Sequence, residues 1–317
     1  MTAMTHAASR PTLAHLPLPL LAMPMGLGGV GLAWRQAHAL LGAPAAIGEA
    51  LLLLTALVWI GVVALQVARL LHHPESVIEE IGHPVRVSFA AAPTIGLMIL
   101  AAAAFPHAPG LGAALWSIAV AVHLLVAMLL LRRVLSGRGD PAMIAPPLLI
   151  PLVGNILAPV FGVAMGFHHM SWMMFGIGLL LWLAVLPLLL YRLFAGPALP
   201  LPLVPSLVIL VAPPAVGAVA VAALTGTPFG PALALAGVAL LLVAVLLAMA
   251  GEIARIPFGM AWWGTTFPSA AFAIMLMTLR FPPWLCWPAL AFATLLTGWV
   301  TWRTALAARA GAFYRPE

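Results

Sequence analysis

The 317-residue sequence contains no lysine, a single cysteine and very little charge. Asp, Glu, Lys and Arg together make up 6% of the residues. Soluble domains carry roughly 25%, so this chain cannot cover a water-facing surface of its size. Because Cys286 is the only cysteine, a disulfide framework and a cysteine-based metal cage are excluded. The motifs GxxxxGK[ST], HExxH and GxSxG are also absent. The sequence therefore predicts no enzyme, no catalytic residue, no metal and no cofactor.

What the chain does contain is apolar sequence, which accounts for 64% of its residues at a mean hydropathy of +1.16. Runs of about 20 apolar residues recur, each long enough to cross a hydrocarbon core of ~30 Å as a helix. The runs are continuous rather than alternating, which favours helices over a β-barrel. We predict ten spans, at about 15–34, 47–71, 84–105, 110–132, 142–166, 171–192, 200–223, 230–250, 257–279 and 284–306. Residues 1–14 and 307–317 are then cytoplasmic tails on either side of a transmembrane domain of residues 15–306.

All 13 basic residues are arginines, and their positions predict the topology. Eleven fall at the termini or at connections from an even to an odd span, and only Arg35 and Arg280 fall on the other side. This bias is the positive-inside pattern and places both termini in the cytoplasm. The net charge of +6 therefore reports membrane orientation and does not indicate a nucleic-acid partner.

Interior prolines recur in every odd-numbered span, about one helical hairpin apart. They are Pro24, Pro93, Pro159, Pro213 and Pro268. Each removes one amide donor and frees the carbonyl four residues earlier, which is tolerated where the backbone packs in protein or lines a wet cavity. The repeat predicts five helical hairpins, with five proline-kinked inner helices around a central pore and five smoother helices outside. Prolines are also common in membrane helices generally, and that simpler explanation stays open at this point.

The odd-numbered spans also hold most of the polar side chains, and Thr94, Asn155, Thr265 and Thr266 are candidates for lining the pore. No acidic residue occupies a span centre, where proton relays and cation sites normally keep one. Arg86 lies close to the predicted cytoplasmic start of the third span. A neutral path with a basic residue at its mouth favours small anions over cations.

Four segments together resemble the tellurite-resistance/dicarboxylate transporter family. They are HPVRVSF (83–89), PLLIPLVGNILAP (147–159), ILVAPPAVG (209–217) and AWWGTTFP (261–268). The family includes bacterial TehA-type channels, fungal malate and sulfite exporters, and plant guard-cell slow anion channels. The resemblance covers about residues 16–303 and implies ten helices in five hairpins around a pore, assembled as a homotrimer. We expect the protein in the bacterial inner (plasma) membrane.

The resemblance also assigns roles to particular residues. The phenylalanine that closes the pore in the family matches Phe267, supported by Gly264 and Pro268, and the arginine of the HPVR motif matches Arg86. Relatives often carry a small residue and an aromatic where this chain has Gly264-Thr265. The surroundings of the gate are therefore smaller and more polar here, and the substrate cannot be copied from a relative.

The expected function is an anion channel or exporter that passes chloride, nitrate, sulfite or C4-dicarboxylates. Two alternatives stay open. An ion-coupled drug or metabolite carrier with ten spans would show two halves of five spans, which the hairpin-spaced prolines argue against. A tellurite-resistance membrane protein without significant transport would keep the fold and lack a working pore.

Overall fold

The computed structural model describes residues 12–314, and every regular element in that range is helical. Parts of both predicted tails, residues 1–11 and 315–317, lie outside the described residues. The α-helices are α1 (Met23–Leu41), α2 (Ala45–His72), α3 (Pro74–Gly82), α4 (Ala92–Ala104), α5 (Pro109–Arg133), α6 (Leu149–Val153), α7 (Ala158–Gly162), α8 (His168–Ala195), α9 (Ala212–Thr225), α10 (Pro231–Ala248), α11 (Ala250–Ile253), α12 (Trp263–Thr278) and α13 (Pro283–Arg309).

Several α-helices are extended by tighter 3₁₀ turns, in which side chains three residues apart are eclipsed. The 3₁₀ segments that precede inner helices are Leu18–Ala22, Arg86–Ala91, Gly154–Leu157, Leu201–Val211 and Met260–Trp262. A π-helical turn, Val134–Arg138, extends α5.

Within residues 12–314, seven helical segments are long and apolar enough to cross a membrane. They are Ala45–His72, Arg86–Ala104, Pro109–Arg138, His168–Ala195, Leu201–Thr225, Pro231–Ala248 and Pro283–Arg309. The other three predicted spans are built from shorter pieces: Leu18–Ala22 with α1, the apolar stretch Pro146–Gly162, and Met260–Trp262 with α12. Length and composition thus support a multi-pass helical membrane protein, and seven of the ten predicted spans coincide with helices long enough to cross a membrane.

Burial divides the helices into two groups. In α12, 13 of 16 residues are buried, and in α1 10 of 19 are buried. By contrast, α10 buries only the three small residues Ala232, Ala236 and Ala239. Leu53, Leu57 and Ile60 of α2 are all more than 60% exposed. Leucine-rich faces of this kind suit contact with lipid, whereas the buried helices must pack against protein on all sides.

The buried helices form a closed ring. Helix α1 packs against α4 and α12, α9 packs against α7 and α12, and α4 contacts α7. Each member of the ring also packs against the exposed helix that follows it, giving the pairs α1–α2, α4–α5, α7–α8, α9–α10 and α12–α13. The centre of the molecule is therefore enclosed by segments that carry the proline repeat.

The two ends of this bundle differ. At one end, called here the terminal end, Leu16 and Leu20 pack against Phe313, so the described start and end of the chain meet. At the opposite end, called the far end, α1 turns into α2 and α12 turns into α13 through short connections. Arg35 and Arg280 lie at the far end.

A buried ion pair secures the terminal end. Arg69 of α2 contacts Glu80 of α3, and both residues are nearly inaccessible, at 3% and 6% exposure. The other carboxylate oxygen of Glu80 accepts the Leu18 backbone N–H at 3.0 Å, and Arg69 Nε donates to the Ala14 carbonyl at 3.2 Å. The polar connection after the second span is thus a helix that folds back and fixes the entry to the first.

Candidate functional site

The predicted prolines mark a change of helix type. Four of the five are the second residue of an α-helix that directly follows a 3₁₀ segment: Pro24 in α1, Pro93 in α4, Pro159 in α7 and Pro213 in α9. At this position an amide has no partner within its own α-helix, so proline removes little there. Pro268 differs, because it lies inside α12, of which it is the sixth residue.

Two cavities lie within the ring of buried helices. The wide cavity has a volume of about 450 Å³ and extends toward the far end, with Gly29, Ala271 and Arg280 in its wall. The narrow cavity has a volume of about 50 Å³ and is walled by residues at the helix transitions, including Pro213 and Pro268. Three residues line both cavities: Leu157, Val216 and Phe267.

Phe267 is thus a shared wall between the two cavities. Its side chain is only 7% exposed, although it borders both spaces. Gly29 of α1 makes room for the ring, because a Cβ atom at position 29 would stand 3.1 Å from Phe267 Cδ2 and 3.2 Å from the Ala270 Cβ. That distance is tighter than ordinary van der Waals contact, so the ring lies directly against a position where only glycine fits without adjustment.

The polar residues beside Phe267 bond to the backbone of their own helix. Thr265 donates its hydroxyl to the Trp262 carbonyl at 2.6 Å, and Thr266 donates to the Trp263 carbonyl at 2.8 Å. Neither threonine lines either cavity, whereas Gly264 lines the narrow cavity. The threonines therefore satisfy carbonyl groups at the start of α12, as Ser and Thr side chains do in membrane helices.

Thr94 and Asn155 are also directed into protein. Thr94 donates to the Ala91 carbonyl at 2.6 Å, and its oxygen lies 2.7 Å from His123 Nδ1. Asn155 donates from Nδ2 to the Leu152 carbonyl at 3.2 Å. Neither residue lines the wide or the narrow cavity. The structure thus brings Gly264, Phe267 and Pro268 to the cavity walls and leaves the four predicted polar residues behind them.

Arg86 begins the 3₁₀ segment before α4 at the terminal end and is partly buried. Its backbone N–H donates to His83 Nδ1 at 3.2 Å, so the histidine of the HPVR motif caps this turn. Arg86 lies outside the walls of both cavities. Its predicted role as a charge at the pore mouth stays a prediction.

The charge in the cavity walls is of one sign. Among residues 12–314, no aspartate or glutamate lines either wall, and the wall of the wide cavity includes Arg35 and Arg280. Sequence reasoning missed these two arginines as site residues. The signal was present, since they are the two that depart from the positive-inside pattern, but their placement beside a cavity depends on where α1 and α12 end.

These features define a multi-pass membrane protein whose described elements are all helical, with central cavities whose described walls lack carboxylates. Residues 15–307 match the SLAC1 family model, described as voltage-dependent anion channel, and the chain belongs to that family. The resemblance predicted from the four sequence segments is thereby confirmed. The family is one of channels and transporters, not of enzymes.

Individual relatives include plant and bacterial proteins. The chain is 28% identical over 273 residues to the S-type anion channel SLAH2 of Arabidopsis thaliana, covering 83% of this chain and 52% of the relative. It is 24% identical to SLAH3 of the same plant over 86% of this chain and 44% of the relative. It is 26% identical to the tellurite resistance protein TehA homolog of Haemophilus influenzae over 56% of this chain and 55% of the relative. The chain thus spans about half the length of the curated relatives it matches.

Proposed function

We propose that this protein conducts small anions across a membrane through the space enclosed by its ring of buried helices, and that Phe267 closes this path. The observation that most supports the proposal is the position of Phe267, which borders both the wide and the narrow cavity. Family membership and the names of the relatives, which are anion channels and a TehA homolog, support the same function.

The architecture that we propose for the pore has ten crossings in five hairpins. The packing of each buried helix against the exposed helix that follows it supports this arrangement. The proposed kinks of four inner helices lie at the 3₁₀-to-α transitions, where Pro24, Pro93, Pro159 and Pro213 stand. We further propose a homotrimer with one pore in each subunit, which rests on the family resemblance alone.

The proposed orientation puts the terminal end in the cytoplasm and the far end outside it, in a bacterial inner membrane. The arginine distribution supports this orientation, because it places nine described arginines toward the terminal end and two toward the far end. The narrow cavity would then face the cytoplasm and the wide cavity would face the exterior.

The proposed substrates are chloride, nitrate, sulfite or C4-dicarboxylates. The described parts of the walls contain no carboxylate, which suits anions. No basic residue of the described range is buried at Phe267, which suits rapid passage rather than tight binding. An anion-replacement series in a conducting variant would rank these substrates. A carrier built of two five-span halves is disfavoured by the hairpin packing.

Reconstitution into liposomes tests the function. We expect the Phe267→Ala protein to pass chloride or nitrate well above empty vesicles, and the wild type to pass less. If neither protein passes any of the four anion types above empty vesicles, the proposal is wrong. A resistance protein without significant transport would then be the better account.

A further inference from the structure

The wall of the wide cavity is polar only toward the far end. Its charged and polar members are Arg35, Gln36, Thr227, Thr278 and Arg280. Gln36 donates from Nε2 to the Thr278 hydroxyl at 3.3 Å, which links α1 and α12 there. The remaining wall is apolar apart from backbone. An anion approaching from the far end would therefore meet arginine side chains before it reached Phe267.

Arg35 and Arg280 differ in whether the guanidinium group is already paired with other protein groups. Arg35 forms a two-pronged ion pair with Glu49, at 2.8 Å from Nε and 2.7 Å from Nη2. It also donates to the carbonyls of Ala102 and Ala103 at the end of α4. Its charge is balanced and its donors are engaged, so Arg35 holds α1, α2 and α4 together.

Arg280 has no such engagement. Among the described residues, its exposed side chain has no hydrogen-bond or ion-pair partner. Its backbone N–H donates to the Met277 carbonyl at 3.0 Å, and the neighbouring N–H groups of Leu279 and Phe281 bond to Met275 and Leu276. Backbone N–H groups alone therefore cap the end of α12. The Arg280 guanidinium is not needed to satisfy the last carbonyl groups of the helix.

The backbone of Arg280 adds a second, independent observation. Its φ is +58°, and it is the one non-glycine residue with positive φ in the described part of the chain. A helix end of this geometry normally carries glycine, because side chains other than those of Asn and Asp are disfavoured in the left-handed region. Arginine here costs conformational energy that the fold does not require, and such strain gathers at functional positions.

We propose that Arg280 is an anion-capture site at the far mouth of the wide cavity, which raises the local concentration of anions before they enter. This inference rests on the proposed function of an anion pore. The guanidinium is always charged and offers several N–H donors to chloride, nitrate or a carboxylate. A cation at the mouth of a low-dielectric cleft speeds the entry of anions, and salt screens the effect.

Glycine is the most informative substitution, because it removes the charge and suits the backbone geometry. Arg280→Gly is tested in the conducting Phe267→Ala background by planar-bilayer recording, with orientation assigned by protease access to a C-terminal tag. We expect the current carried by anions entering from the far end to fall about threefold at about 10 mM salt, where the screening length is about 30 Å. At about 1 M salt, where that length is about 3 Å, the difference should disappear.

Three further variants control the result. Arg280→Asn also tolerates positive φ and should repeat the loss, while Arg280→Lys keeps the charge and should retain most of the current. Arg309→Gln removes an arginine at the terminal end and should leave far-end entry unchanged. Size-exclusion elution and thermal melting should show the glycine variant to be at least as stable as its parent.

Each outcome has one meaning. If Phe267→Ala conducts and both neutral variants keep full far-end current at low salt, the capture site is wrong and the pore stands. A loss that persists at 1 M salt would also overturn it, because a structural defect is not screened. If Phe267→Ala carries no anion current, the proposed function fails and the capture site fails with it.

Discussion

The cavities on the two sides of Phe267 share walls from α1, α9 and α12 but differ in width and polarity. Toward the terminal end, the walls come from the places where 3₁₀ segments become α-helix, and the cavity holds about 50 Å³. Toward the far end, the walls come mainly from the regular α-helical parts of α1, α9 and α12, with α7 and the connection after α9, and the cavity holds about 450 Å³. The comparison teaches that the proline transitions coincide with the constriction, whereas the regular helices beyond them leave room.

The largest change in anion conductance should follow from removing the Phe267 side chain, which is the wall shared by the two cavities. Phe267→Ala should join the two cavities and raise anion conductance by roughly tenfold or more, since an apolar constriction blocks ions by excluding water. Bilayer recordings of purified protein measure this effect. Phe272→Ala provides the matched control, because Phe272 lies on the same helix, packs against the core and lines neither cavity. Equal effects of the two substitutions would remove the gate assignment.

A smaller effect on the current should follow from filling the space that the Phe267→Ala substitution leaves. Position 29 points directly at the Phe267 ring. Gly29→Val added to Phe267→Ala should occupy the vacated space and lower the current about two- to fivefold relative to Phe267→Ala. The same recordings test it. An unchanged or increased current in the double variant would mean that the conducting path does not run past Gly29.

Adding a single methyl group beside the narrow cavity should lower the current. A Cβ atom at Gly264 would stand 3.0 Å from Ile209 Cδ1, so Gly264→Ala narrows the terminal-end cavity. In the Phe267→Ala background we expect roughly a twofold fall in current. Gly298→Ala on the exposed helix α13 is the control, because nothing lies within 4 Å of its Cβ position. If both variants conduct equally, the narrow cavity does not limit the current.

The smallest effect on conduction should come from the ion pair at the terminal end, where stability is affected instead. Glu80→Gln leaves Arg69 buried without its counter-charge, which typically costs about 3–5 kcal/mol. The melting temperature in detergent should drop by several degrees, while the current for each folded channel stays near that of the parent. Glu79→Gln, at the exposed neighbouring position, should melt like wild type. Identical melting of both variants would show that the pair contributes little to stability.

The all-helical, multi-pass class could be predicted because hydropathy acts locally, whereas the change of helix type at the prolines could not. Pro24, Pro93, Pro159 and Pro213 each lie where the helix type changes. Phe267 could be singled out because it precedes Pro268 within a family motif. Its position between two cavities could not be predicted, because it depends on Gly29 of a helix about 240 residues earlier.

Side-chain direction was the main thing that the sequence left open. Thr265 and Thr266 were expected at the pore, but a hydroxyl near a helix start can equally bond to a carbonyl three residues earlier, and these two do so. Sequence position alone places Glu80 in the polar connection between the second and third predicted spans. Its burial against Arg69 requires α3 to fold back, which the sequence spacing does not reveal.

The central claim, that Phe267 separates the two cavities, is tested most directly by the accessibility of matched cysteines. Val153 lines only the narrow cavity and Val219 only the wide one, so each is changed to cysteine in a Cys286→Ala background. An anionic, membrane-impermeant methanethiosulfonate is applied from the far end, and modification is read by mass. We expect rapid modification of Val219→Cys in every case, and of Val153→Cys only when Phe267 is alanine. Equally rapid modification of Val153→Cys with Phe267 in place would contradict the account.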